Sequence, residues 1–179
     1  MPLSSVVGAQ SIIKPGVCTS STRPAVPFEG QMIYETDTKT ILVWNGTAWV
    51  CTTAKGAAVL TDQSTSSASF TDLATVGPSV TIDTGTSALV TVSSTTYRAT
   101  GTGNTALLGV NVSGATTMAA NSNYGSRVSY TAAAYSFVLG SSFVLTGLTS
   151  GSNTFKLQYT IDGGTANFLN RYITVVGLP

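Results

Sequence analysis

The sequence predicts an all-β protein, and three observations carry that prediction. Only 8% of the 179 residues are charged, against roughly 25% in an average globular domain. Ser, Thr, Gly, Ala and Val dominate instead, and the β-branched members among them fit a pleated surface better than a helix. Short apolar runs recur from Phe70 onward at the spacing of sandwich strands, separated by Gly, Ser, Asn and Asp clusters. The predicted order is an extended N-terminal arm, a small β-meander and an antiparallel sandwich.

The arm is residues 1–28. Pro15, Pro24 and Pro27 each remove a backbone donor and restrict the residue before them, which favours extended chain. Val6 with Val7 and Ile12 with Ile13 form apolar clusters that a solvated linker has no reason to carry, so the arm is expected to dock on something. The meander follows as three strands, Gln31–Glu35, Thr40–Trp44 and Thr47–Val50, joined by a polar turn at residues 36–39 and by Asn45-Gly46. Asn-Gly between apolar runs predicts a type I′ hairpin turn. About 25 residues cannot bury much core alone, so Tyr34, Trp44 and Trp49 are expected to pack on a neighbouring subunit or on the next domain.

Residues 56–68 lack apolar periodicity and read as a linker, which divides the chain into an anchoring region 1–55 and a sandwich 69–179. Within the sandwich, alternation marks Val80 and Ile82, Ala88 to Val92, Leu108 to Val112, and Phe143 with Leu145. The cleanest strand is Thr154–Ile161, where Phe155, Leu157, Tyr159 and Ile161 share one face. Tyr172 to Val176 is apolar on both faces, as in a central strand or one covered by another subunit. The Gly101–Asn104 and Gly163–Gly164 stretches read as hairpin turns, and residues 131–135 are the one candidate turn of helix.

Composition excludes much chemistry. Without histidine there is no Ser-His-Asp or Cys-His catalysis and no imidazole metal site. No cofactor or metal is expected. Glu29, Glu35 and Asp37 could supply a glycosidase carboxylate pair, but Glu35 and Asp37 flank a hairpin turn, where acidic residues are ordinary. The chain is therefore read as non-enzymatic. Cys18 and Cys51 lie in the same N-terminal region and could be neighbours, yet two thiols do not make a disulfide scaffold and they are read as free. A net charge of +1 with scattered Lys and Arg gives no stripe for nucleic acid and no polybasic membrane signal. No apolar run is long enough to span a bilayer, and the start lacks the pattern of a secretory signal, which predicts a soluble chain.

The stretch Arg23-Pro-Ala-Val-Pro-Phe-Glu-Gly-Gln-Met-Ile-Tyr-Glu-Thr-Asp-Thr, followed by Val43-Trp-Asn-Gly-Thr-Ala-Trp49, resembles a connecting module near the start of many tailed-phage structural proteins. Val144-Leu-Thr-Gly-Leu-Thr-Ser-Gly-Ser-Asn-Thr-Phe155, Gly163-Gly-Thr-Ala166 and Asn170-Arg-Tyr-Ile-Thr-Val175 resemble the closing strands of trimeric, tumour-necrosis-factor-like jelly rolls of phage surface proteins. The resemblance implies a jelly-roll sandwich, a homotrimer and a place in a virion assembled in the host cytoplasm. It also implies a partner, the major capsid protein or another virion protein. Candidate docking residues are Val6, Val7, Ile12, Ile13, Arg23 and Phe28; candidate subunit-interface residues are Tyr34, Trp44, Trp49 and Tyr172. The leading expectation is a head decoration or cement protein. The alternative is a short tail fibre or receptor-binding protein whose loops bind host glycans through aromatics such as Tyr97 and Tyr124.

Overall fold

Alternation along the strands decides the architecture, because every second side chain must find cover. In the computed structural model, which describes residues 15–38, 40–51, 54–100, 104–130 and 135–178, two antiparallel sheets supply that cover for each other. The described residues form thirteen strands and no helix. A first group comprises β1 (Gly16–Cys18), β2 (Met32–Glu35), β3 (Thr40–Trp44) and β4 (Trp49–Cys51). The rest are β5 (Lys55–Val59), β6 (Gln63–Thr65), β7 (Ser79–Thr84), β8 (Ser87–Thr100), β9 (Thr105–Gly114), β10 (Gly125–Ser129), β11 (Ser136–Thr146), β12 (Gly151–Ile161) and β13 (Thr165–Leu178).

The strand orders are β5-β13-β8-β11 in one sheet and β7-β12-β9-β10 in the other, with β6 also paired to β13. The chain crosses between the sheets at most steps, and β12 and β13 return to the middle of each, which is the double Greek-key connectivity of a jelly roll. Phe155, Leu157, Tyr159 and Ile161 of β12 are fully buried between the sheets, as the alternation predicts. They meet Val90 and Val92 of β8, Leu108 and Val110 of β9, and Phe168 and Val175 of β13 in one core. Burying a side chain of this size is worth roughly 1.5–3 kcal/mol, so this stack outweighs any single polar contact in the domain.

Three expectations change. Residues 56–68, read as a linker, contain most of β5 and all of β6, both paired antiparallel to β13; the sandwich begins at Lys55. The small side chains of β5 carry little apolar signal because they flank bulky Tyr172, whose register partner is Ala58. The Asn45-Gly46 hairpin is not type I′: among the described residues Asn170 alone of the non-glycines has positive φ, while Gly46 has φ 92°. A four-residue loop closes instead, with the Asn45 side-chain oxygen accepting from the amides of Thr47 and Ala48 at 3.0 and 2.7 Å. The meander is also larger than three strands, since β1 adds to β2 in parallel. The candidate turns at residues 101–103 and 131–134 lie outside the described residues. Gly163 and Gly164 do form the turn between β12 and β13.

The four-stranded N-terminal sheet has order β1-β2-β3-β4, and Ile33, Leu42 and Trp49 join the same buried cluster as the sandwich residues. A sheet too small to stand alone thus takes its core from its own chain, with β4 lying against β7. Cys18 and Cys51 sit on opposite edge strands of this sheet. Three strand spacings, about 14 Å, exceed the roughly 7 Å Cα separation that a disulfide tolerates. They are not the spatial neighbours that their shared region allowed.

Candidate functional site

The two sheets of the sandwich treat their outer faces differently. Outside β12 and β9 the chain wraps itself: Lys156 pairs with Asp72 at 2.8 Å, Thr160 donates to the Ser67 carbonyl, and Asn111 donates to the Met118 carbonyl. Gly109 leaves room there for the Phe70 ring, which an added Cβ would meet at 2.7 Å. That face is covered by segments of the same polypeptide.

The outer face of β5, β13, β8 and β11 has no such cover. Its register rows run Ala58, Tyr172, Ser93 and Gly140, then Gly56, Thr174, Thr91 and Ser142, then Val176, Leu89 and Val144. No side chain in these rows is charged. Val138 is 80% exposed, Val144 52% and Tyr172 44%, and Thr91 and Ser142 satisfy each other through their hydroxyls at 2.8 Å. A face of this kind has little to lose on desolvation, because it carries no ions and its hydroxyls are partly paired. Tyr172 stands over small neighbours, an aromatic knob on a shallow floor.

A second apolar region lies on the N-terminal sheet. Val26 is 92% exposed, Phe28 69% and Val17 62%, with Met32 and Ile41 also at the surface. Val17, Tyr34 and Ile41 share one register row across β1, β2 and β3. Of the expected docking residues, Phe28 is open to a partner, whereas Val6, Val7, Ile12 and Ile13 lie outside the described residues. Arg23 is used internally. Of the expected interface residues, Tyr172 is on the bare face and Tyr34 is half-buried in the N-terminal sheet. Trp44 and Trp49 stack edge-on at 5.5 Å, with Trp49 buried in the chain's own core; Trp49 is therefore unavailable to a neighbour.

Arg23 joins the two parts of the molecule. Its guanidinium donates to buried Glu35 on β2 at 2.5 Å and to Asp83 on β7 at 3.1 Å. Thr38 donates to the other Glu35 oxygen, so the carboxylate that resembled half of a glycosidase pair is held in a structural network. Replacing Arg23 by methionine leaves Glu35 buried without its cation. With Arg23 partly open to water, the expected cost is about 1–2 kcal/mol, below that of breaking a fully buried pair. The loss should appear as faster amide exchange in β1–β4 while β12 keeps its protection.

Nearby, Asp37 accepts from the Ser20 backbone amide and hydroxyl. The Ser20 hydroxyl, then the amide, holds its carboxyl below the ordinary value. A depressed folded-state pKa gives a tether present above the unfolded value and lost as pH falls through the folded one. Acid titration should therefore move the Ser20 amide resonance below the usual aspartate range. Burial, then the Glu35 carboxylate, pushes the Cys18 thiol up, away from a nucleophilic thiolate.

The tyrosines expected to recognise glycans are already engaged. The Tyr97 hydroxyl donates to Asp62 at 2.5 Å, a bond that holds its pKa up, and Tyr124 leans on Phe143 with centroids 5.6 Å apart. Arg171, which sequence reasoning passed over as one of several scattered cations, is fully buried. The only signal for it was its being the one charged residue of its strand. Among the described residues no cluster of His, Cys, Asp and Glu could hold a metal ion.

No protein-family model matches the chain, and no curated protein matches it. Among the solved structures similar to it are two jelly-roll-containing ones. The Eiger TNF structure from S. frugiperda is 14% identical with a TM-score of 0.48, covering 70% of this chain and 93% of that one. The structure of infectious bursal disease virus, Gx strain, is 13% identical with a TM-score of 0.47 and covers 86% of this chain. The match spans 37% of that viral chain, little more than a third of its length.

Proposed function

We propose that this chain is a non-enzymatic structural protein of a tailed-phage particle, a homotrimeric decoration or cement protein that binds and stabilises the assembled head. The observation that carries the reading is the bare part of the outer face of β5, β13, β8 and β11, where the rows through Tyr172, Thr174 and Val176 hold no charged side chain, beside an opposite sheet that the chain covers itself. A second copy is the occupant that fits, because a neutral face can be covered by a neighbouring copy without burying an unpaired charge of its own. Three copies closed about an axis would satisfy all such faces and leave no open end.

In this reading the apolar surface around Val17, Val26 and Phe28, with the arm before it, attaches the trimer to the shell. Binding only the assembled lattice stabilises that state by mass action, and three linked arms add avidity that no single contact provides. The resemblance of residues 23–49 to the connecting module of tailed-phage structural proteins supports the particle assignment.

Quantitative mass spectrometry of purified particles tests it. Copy number near that of the major capsid protein is the expected result. A few trimers per particle would move the protein to the tail, as a short fibre, and absence from the particle would overturn the proposal.

A further inference from the structure

Of the three acidic side chains considered for a glycosidase pair, Glu35 is held by Arg23 and Asp37 by Ser20, which leaves Glu29. It stands beside the chain's one Asn-Gly pair. A Cβ built on Gly46 would lie 3.7 Å from the Glu29 carboxyl carbon and 3.8 Å from one of its oxygens. Backbone bonds keep it there: the Gly30 amide donates to the Trp44 carbonyl at 2.8 Å, and the Trp44 amide donates to the Gln31 carbonyl at 2.9 Å. Glu29 is thereby fixed against the residue just before the hairpin loop.

Asn45 is folded back over the same loop. Its side-chain oxygen accepts from the amides of Thr47 and Ala48. An asparagine bonded to the amide two residues on mimics a backbone turn, which brings its amide carbon toward the nitrogen of the peptide that follows. The same two donors polarise the Asn45 amide and face any negative charge that develops on its oxygen, in the manner of an oxyanion hole. The Gly46 amide makes no hydrogen bond among the described residues, and without a Cβ the glycine leaves the carboxylate room to approach. Gly46 and Thr47 are exposed and Asn45 is half-buried, so water reaches the loop.

The geometry points to a self-modifying turn, in which Asn45 and Gly46 close to a succinimide with Glu29 as general base. Glu29 takes the Gly46 amide proton while that nitrogen attacks the Asn45 amide carbon. The bond from that carbon to the side-chain nitrogen then breaks, and the nitrogen leaves as ammonia with the proton returned by Glu29. Water opens the ring at either carbonyl, giving aspartate or isoaspartate at position 45. An anion thus replaces a neutral group close in sequence to exposed Phe28. The chemistry itself does not depend on whether the protein sits on a head or a tail.

The test is peptide mass spectrometry with isoaspartate detection on the full chain, incubated folded and in urea, for the native protein and Glu29→Gln, with Asn45→Asp as the reference for the aspartate product. Conversion at position 45 is expected to be faster in the folded chain than in urea, with isoaspartate among the products. Glu29→Gln should slow the folded chain at least about tenfold, a modest share of the roughly 10²–10⁴-fold that a positioned base contributes, and leave the rate in urea unchanged. If Glu29→Gln disturbs the folded spectrum, Glu29→Asp keeps the carboxylate and should retain part of the rate. Slower conversion in the folded chain than in urea, a folded rate indifferent to Glu29→Gln, or no conversion overturns the proposal.

Discussion

Arg171→Met is expected to lower the unfolding free energy by about 3 kcal/mol or more, with circular dichroism showing the same strand content before the transition. The side chain is fully buried on β13. One guanidinium nitrogen donates to the carbonyls of Thr75 and Gly77 at 3.3 and 3.2 Å. The other donates to the Thr61 carbonyl and the Gln63 side chain at 3.4 and 3.0 Å. The guanidinium also lies 5.4 Å from the centre of the Tyr159 ring, and among the described residues it has no carboxylate partner.

Arg171 therefore acts as a multiple donor that fastens the segments around residues 61 and 75–77 to the closing strand. Methionine preserves most of the volume but takes the guanidinium donors from the Thr61 and Thr75 carbonyls, while the Gly77 carbonyl keeps the Tyr159 hydroxyl; each buried acceptor left unmade costs about 1–3 kcal/mol. Lysine should recover only part of the loss, because its donors radiate from one atom and cannot fork between the two segments. Urea unfolding of the three proteins measures this. An unchanged midpoint for Arg171→Met would mean that those carbonyls find other donors.

The second large effect is on assembly. Val144→Asp, and separately Tyr172→Asp, should convert the trimer proposed above to folded monomer, read by sedimentation velocity. Both side chains are at least two-fifths exposed in the isolated chain, so neither change opens a cavity. At a closed interface each would bury an unpaired carboxylate, a penalty of several kcal/mol that weakens association by on the order of a hundredfold or more. Ser113→Asp, exposed on β9, is the control and should leave the mass unchanged. If Val144→Asp and Tyr172→Asp also leave it unchanged, the bare face is not where copies meet.

What was legible in the sequence follows from how each element is buried. β12 could be read directly because one face is core and the other meets polar chain, so hydrophobicity alternates over its whole length. β13 was legible as a central or covered strand, since its outer residues include Tyr172 and Val176. The segment Lys55-Gly-Ala-Ala-Val59 was not, because a strand beside a large aromatic is made of small residues that resemble a linker.

The inward turn of Arg171 was hidden for a different reason. Regular alternation from Phe168 would put residue 171 on the outer face. The irregularity between Leu169 and Tyr172, where Asn170 takes φ 49°, reverses the phase and sends the charge into the core. Such a bulge leaves almost no trace in composition. Arg23, Glu35 and Asp83 were individually visible, but their meeting depends on how two sheets dock, which no local pattern records.

The central position of β13 also bears on biosynthesis. This strand lies between β8 on one side and β5 and β6 on the other, so strands made early wait without their common partner until residues 165–178 have left the ribosome. Until then β5, β6 and the long β8 present unpaired edges, the kind of surface that joins neighbouring nascent chains. Closure must link segments separated by more than a hundred residues, which makes it slow relative to local hairpins. Release of the segment containing β13, rather than emergence of the first strands, sets the moment at which the domain can become a single cooperative unit.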